Sequence, residues 1–188
     1  MEEARTGKAM IRIQLLAIGG IDPTLLGTLG QALEKEFSAR SEILPARLNP
    51  LPSLHPERQQ YHSTEILNRM QREFAPGSGR LLGVTALDLY IPILTFVFGE
   101  AQLHGGCAVV STYRLRQEFY GLPPDLALLE ERLVKESVHE LGHTFGLRHC
   151  DNYECAMAAS HAVEAIDLKG RNLCPGCRAV AAEVAPRS

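Results

Sequence analysis

No apolar run in these 188 residues approaches the ~20 needed to cross a bilayer as a helix. The N-terminus, short and acidic from Met1 to Lys8, lacks the basic-then-apolar order of a secretory leader, and no propeptide is expected. Net charge is only −3, and Lys and Arg form no cluster, which argues against nucleic acid and anionic membrane as partners. Internal repeats and low-complexity segments are absent too. These absences point to a soluble cytoplasmic protein. Its 45% hydrophobic content over 188 residues suits one compact domain with a real core.

Cysteine is scarce, yet four of the five crowd into the last third. Cys150 and Cys155 make C-x4-C; after 18 intervening residues, Cys174 and Cys177 make C-x2-C. Two close pairs joined by a longer loop suit a tetrahedral zinc site with four thiolate ligands. The alternative is a pair of disulfides, which the absence of a secretory leader disfavours. Cys107 lies in a strand-like apolar run and reads as a small buried hydrophobe.

Immediately before that cluster, residues 139–149 read H-E-x-x-H-x-x-G-x-x-H. On a helix, His139 and His143 share a face and can aim one nitrogen each at a single ion. Glu140 sits beside the first of them, placed to reach a water on the metal rather than the metal itself. Gly146 can enter the left-handed conformation, end the helix and bring His149 round as a third ligand. Three protein ligands leave a fourth position open, the mark of a catalytic zinc site. A bare H-E-x-x-H arises often by chance; the added glycine and histidine make this pattern specific.

From His139 through Cys150, Cys155, Met157 and Cys174-Pro175-Gly176-Cys177, the sequence resembles the archaemetzincins, a branch of the metzincin zinc peptidases. Weaker similarity covers Thr85-x-x-Asp88-Leu89 and Phe96–Ala101. The resemblance implies a metzincin-like fold and places Met157 in the methionine turn beneath the metal. It also makes Phe96, Val97, Phe98, Gly99, Glu100 and Ala101 the antiparallel edge strand that pairs with an extended peptide. Expected cofactors are two zinc ions per chain, one catalytic and one structural. The expected activity is peptide hydrolysis by a zinc-activated water with Glu140 as general base, on short peptides; the family includes aminopeptidase-type members, and the sequence leaves endo- against aminopeptidase action open. Ala159 stands where some metzincins carry a tyrosine, so the oxyanion donor is unassigned among Tyr113, Tyr120, Tyr153 and His161. Asp88 and Glu100 are the conceivable anchors for a peptide amino group.

Two rival readings are a catalytically weak peptide-binding protein that keeps the fold, and an interaction module in which only the four-cysteine site matters. Intact Glu140 speaks against the first and the complete histidine set against the second. Upstream, the pattern predicts strands over 10–18, 41–48, 81–87, 96–98 and 108–112. It predicts helices over 22–37 and 63–74, and a long one capped by Pro123-Pro124-Asp125 that runs through His143. Residues 49–56, with three prolines, are expected to be a surface loop. The expected fold is therefore α/β (α+β): a twisted mixed sheet with an antiparallel edge strand, below a zinc-bearing helix. Residues 1–146 would form the sheet and helix part and 147–188 a small C-terminal lobe of one monomeric catalytic domain.

Overall fold

The computed structural model describes residues 10–184. The Met1–Lys8 segment discussed above lies outside them. Strand β1 (Ile11–Ile18) leads through helix α1 (Pro23–Phe37) to β2 (Ala39–Leu48). The short strands β3 (Leu54–His55) and β4 (Gln60–His62) precede α2 (Ser63–Phe74). Next come β5 (Arg80–Thr85), β6 (Leu89–Tyr90), β7 (Gly99–Ala101) and β8 (Cys107–Ser111). The long helix α3 (Leu126–Thr144) and two shorter ones, α4 (Val163–Leu168) and α5 (Pro175–Val184), complete the described residues.

The main sheet has the order β2-β1-β5-β8-β7, parallel except that β7 runs antiparallel to β8 at the edge. Both faces are covered, so the central strands are apolar over most of their length, polar Arg12, Gln14 and Arg80 falling toward their starts, as expected of parallel strands between helices. Alternate side chains divide cleanly. Ile13, Leu15, Ala17, Leu82, Val84, Ala108 and Val110 join the core formed with α1 and α3. Leu16, Ile18, Leu81, Cys107 and Val109 pack with Ile66, Leu67 and Met70 of α2. Cys107 is thus a buried small residue, its thiol pushed up to about 11 by desolvation.

Pro45 lies in the edge strand β2, where its missing N–H costs no ladder bond. The register slips beside it, Leu15 facing Ile43 but Ala17 facing Arg47. The expected loop at 49–56 contains a short 3-10 turn over Leu51–Ser53 and then β3. A second sheet, β3-β4-β6, has no counterpart in the sequence pattern, because strands of two or three residues carry no periodic signal.

The strand expected over residues 96–98 is not formed; regular pairing starts at Gly99. Val97 is diverted to the smaller sheet, its N–H donating to Leu89 O at 2.9 Å. The chain therefore crosses from one sheet to the other at Phe98.

Candidate active site and metal centres

Helix α3 begins where expected, the Asp125 side chain accepting from Leu128 N at 2.9 Å. It ends in a Schellman turn: Gly146 N donates to His143 O at 2.9 Å and Leu147 N to Gly142 O at 3.1 Å. Gly146 has φ +83°, and a Cβ there would collide with the His104 ring from the β7–β8 turn. His104 N also donates to His143 O, at 3.2 Å. Backbone bonds thus close the bend that swings His149 back over the helix.

His139, His143 and His149 each offer a ring nitrogen within 4.8 Å of the others'. His139 Nδ1 meets Ala156 O at 2.9 Å and His143 Nδ1 meets Leu147 O at 2.7 Å. Each carbonyl can only accept, so both rings carry their proton on Nδ1. Their Nε2 atoms then face each other lone pair to lone pair at 3.2 Å. That contact is repulsive unless a cation lies between them. A tetrahedral ion with ~2.0 Å bonds to nitrogen would set the two about 3.3 Å apart. Burial holds both imidazoles below their ordinary pKa, His139 strongly so, with Lys169 adding to the effect there, which keeps them neutral and able to donate a lone pair.

The four thiols also converge, with all Sγ atoms within 4.8 Å of one another. Cys150 Sγ and Cys174 Sγ are 4.0 Å apart, far beyond a disulfide bond and close to the ~3.8 Å edge of a zinc tetrathiolate. All five cysteines are free thiols. Backbone N–H groups of Met157 and Cys174 point at Cys155 Sγ at 3.5 and 3.3 Å, and that of Cys177 points at Cys174 Sγ at 3.5 Å. The Cys177 N–H brings the Cys174 thiol down to about 7, whereas desolvation and the neighbouring sulfurs push Cys177 up. A set in which Cys174 sheds its proton readily while desolvation makes Cys155 and Cys177 reluctant is suited to a divalent ion, which would neutralise the further thiolates.

Glu140 is buried, its carboxyl raised well above the usual range by desolvation and by nearby Glu136. It presses against the edge strand: a Cβ on Gly99 would lie 2.6 Å from Glu140 Cγ and 2.7 Å from Val109 O. Met157 is fully buried and packs against α3 at Gly142. The cleft over the histidines has a volume of about 840 Å³, and every residue from Phe96 to Ala101 lines it.

Several expected roles find their residues elsewhere. Of the four oxyanion candidates, only His161 lines the cleft. Tyr120 Oη donates to Arg114 O, Tyr113 packs on Phe119, and Tyr153 is solvent-exposed. Both conceivable ammonium anchors are engaged. Asp88 accepts from Arg114 at 2.6 and 2.7 Å and from Gln60 at 2.9 Å. Glu100 accepts from Ser63 at 2.5 Å and from Thr64 at 2.8 Å. Sequence reasoning passes over Glu136 and Lys169, whose buried charges meet at 2.7 Å beside His139. Helical spacing already sets Glu136 on the face of Glu140, four residues away, whereas Lys169 gives no local signal.

Comparison with known proteins decides the family. Residues 59–182 match peptidase family M54. The chain is 39% identical to the archaemetzincin of Methanocaldococcus jannaschii over 89% of its own length and 91% of that protein's. The chain belongs to the archaemetzincins. It is therefore a zinc-dependent metallopeptidase, a hydrolase. Among solved structures, the archaemetzincin of Methanopyrus kandleri superposes with a TM-score of 0.81 at 34% identity, over 93% of this chain and 95% of that one. The archaemetzincin of Archaeoglobus fulgidus, in complex with malonate, gives 0.76 at 38% identity over 91% and 99%. A zinc-dependent peptidase of Methanocorpusculum labreanum gives 0.80 at 32% identity over 90% and 99%. The mixed α/β fold is shared with these enzymes.

Proposed function

We propose that this archaemetzincin cleaves peptide bonds of short peptides, with His139, His143 and His149 as ligands of a catalytic zinc and Glu140 as general base. The observation that carries the reading is the Nε2–Nε2 contact at 3.2 Å between the buried His139 ring and the half-buried His143 ring, whose other nitrogens are already committed. Zinc, when bound there, supplies the Lewis acidity that polarises the scissile carbonyl and makes a water nucleophilic near neutral pH. Glu140 takes the proton of that water onto its carboxylate and returns it to the departing amine. Gly99 lets the carboxylate lie directly against the edge strand, and Gly99–Ala101 present a free strand edge to the main chain of an extended peptide. Met157 forms the floor, and Cys150, Cys155, Cys174 and Cys177 hold a second, structural zinc.

We take residues 1–188 as one catalytic unit, acting as a monomer in the cytoplasm. Free thiols suit a reducing compartment, and no helix among the described residues is long and apolar enough to cross a membrane. Aminopeptidase action would require an anion for the α-ammonium, and Asp88 and Glu100 are occupied internally. The reading therefore commits to peptide bonds rather than to a free N-terminus. Glu140→Gln tests it: turnover of a peptide library should fall at least ~10²-fold while both zincs stay bound. Retained turnover would mean another base. Absence of turnover in the unaltered, fully zinc-loaded protein would favour a peptide-binding role instead.

A further inference from the structure

The charges lining the cleft are Glu100, Glu136, Glu140, Arg148 and the histidines, His161 included. Their engagements are one-sided. Glu100 is taken up by Ser63 and Thr64, Glu136 by Lys169, and Glu140 is the base. Arg148, in contrast, is exposed and takes part in none of the ion pairs among the described residues. Its backbone is fixed on both sides. Leu147 O accepts from His143 at 2.7 Å, and Cys150 N, just past His149, donates to Met157 O at 3.0 Å. Its Cα stands about 3.8 Å from that of His149, so the guanidinium emerges within roughly two extended residues of the metal centre.

We propose that Arg148 is a specificity residue that makes this a carboxylate-recognising cleft: it pairs with a substrate carboxylate one or two residues from the scissile bond. A guanidinium matches a carboxylate through two parallel N–H···O bonds, and no cleft carboxylate competes for it. The proposal rests on the peptidase reading above and names the substrate class. The carboxylate can be the C-terminus of a short peptide or an Asp or Glu side chain. A free α-ammonium gains nothing, because no unpaired anion other than the base awaits it.

The test uses the zinc-loaded full chain and one peptide sequence in matched forms. The C-terminus is free or amidated, one position near the cleaved bond is Glu or Gln, and the N-terminus is free or acetylated. Acidic forms should be cleaved with kcat/KM at least roughly five-fold above their neutral partners. Which pair shows the preference identifies the source of the carboxylate. N-acetylation should leave cleavage intact. Arg148→Gln, with zinc content verified, should flatten the acid-to-neutral ratio, whereas Arg148→Lys should keep part of it. Equal rates for acid and amide forms, a ratio unchanged in Arg148→Gln, or dependence on a free N-terminus would overturn the proposal. Calorimetric binding of the same peptides to zinc-loaded Glu140→Gln reads the preference without turnover. If no peptide is cleaved, the hydrolytic reading fails, and the binding ratio still decides the role of Arg148.

Discussion

Gly99 and Glu140 lie 41 positions apart in sequence yet pack so closely that no side chain fits between them. A methyl group on Gly99 would push into the Glu140 side chain and into Val109 O. Gly99→Ala should therefore cut kcat by about 10²-fold, the scale of a 1 Å misplacement of a reacting group. Zinc content at the histidines should remain. Near-normal kcat in that variant would show that Glu140 is not seated by the edge strand. Such residues carry no local mark in the sequence, whereas the three histidines and Glu140 do. Those four fall within eleven positions on a helix and its bend, so spacing alone foretells their convergence. A long-range contact of a glycine does not announce itself in this way.

Among secondary-structure elements, α3 is the hub, and the C-terminal segment is bolted to it by cations. Arg132 holds Asp167 through two bonds of 2.7 Å, and Lys135 donates to Ile166 O and Asp167 O at the end of α4. Lys169 reaches back in the other direction, meeting Glu136 at 2.7 Å with both side chains almost wholly buried. It also donates to Ala158 O, next to Met157. Removing one partner of such a pair strands the other's charge, at a cost of about 3–5 kcal/mol. Lys169→Met should lose stability on that scale in denaturant titrations, and adding Glu136→Gln should recover much of it. A single variant as stable as the parent would refute the pairing.

At this scale the sequence is legible wherever periodicity is long. Helix α2 falls where its apolar stripe and the Pro76-Gly77 stop set it, and α3 starts at its Asp125 cap. The two- and three-residue strands and the diversion of Val97 to Leu89 are illegible, because tertiary pairing creates them.

Taken whole, the molecule has two clusters able to hold a metal, joined by a single peptide bond, His149 belonging to one and Cys150 to the other. The sulfur set also spans Cys155, two residues before Met157, and Cys174 and Cys177 at the start of α5. That helix is itself fastened to α1 by Arg178 and by Leu173 N, both on Glu36 Oε1, at 2.8 and 2.9 Å. Cys150→Ser is expected to weaken zinc binding at the histidines by roughly 10- to 100-fold, the usual penalty for losing outer support of a ligand. Metal analysis after dialysis against a graded chelator measures it. Unchanged affinity at the histidines would mean that the bend holds without its sulfur-bound neighbour.

Because Ala156 O and Leu147 O hold the His139 and His143 rings at Nδ1, with the other nitrogens 3.2 Å apart, the histidine site is shaped as a gauge of ionic radius. Small borderline-soft ions that accept four neighbours slip in without distortion. Calcium, with its roughly 2.3–2.6 Å oxygen shell of about six to eight partners, would have to pry the helix end apart. Discrimination among metals would then rest on the carbonyls that aim the rings as much as on the ring nitrogens themselves.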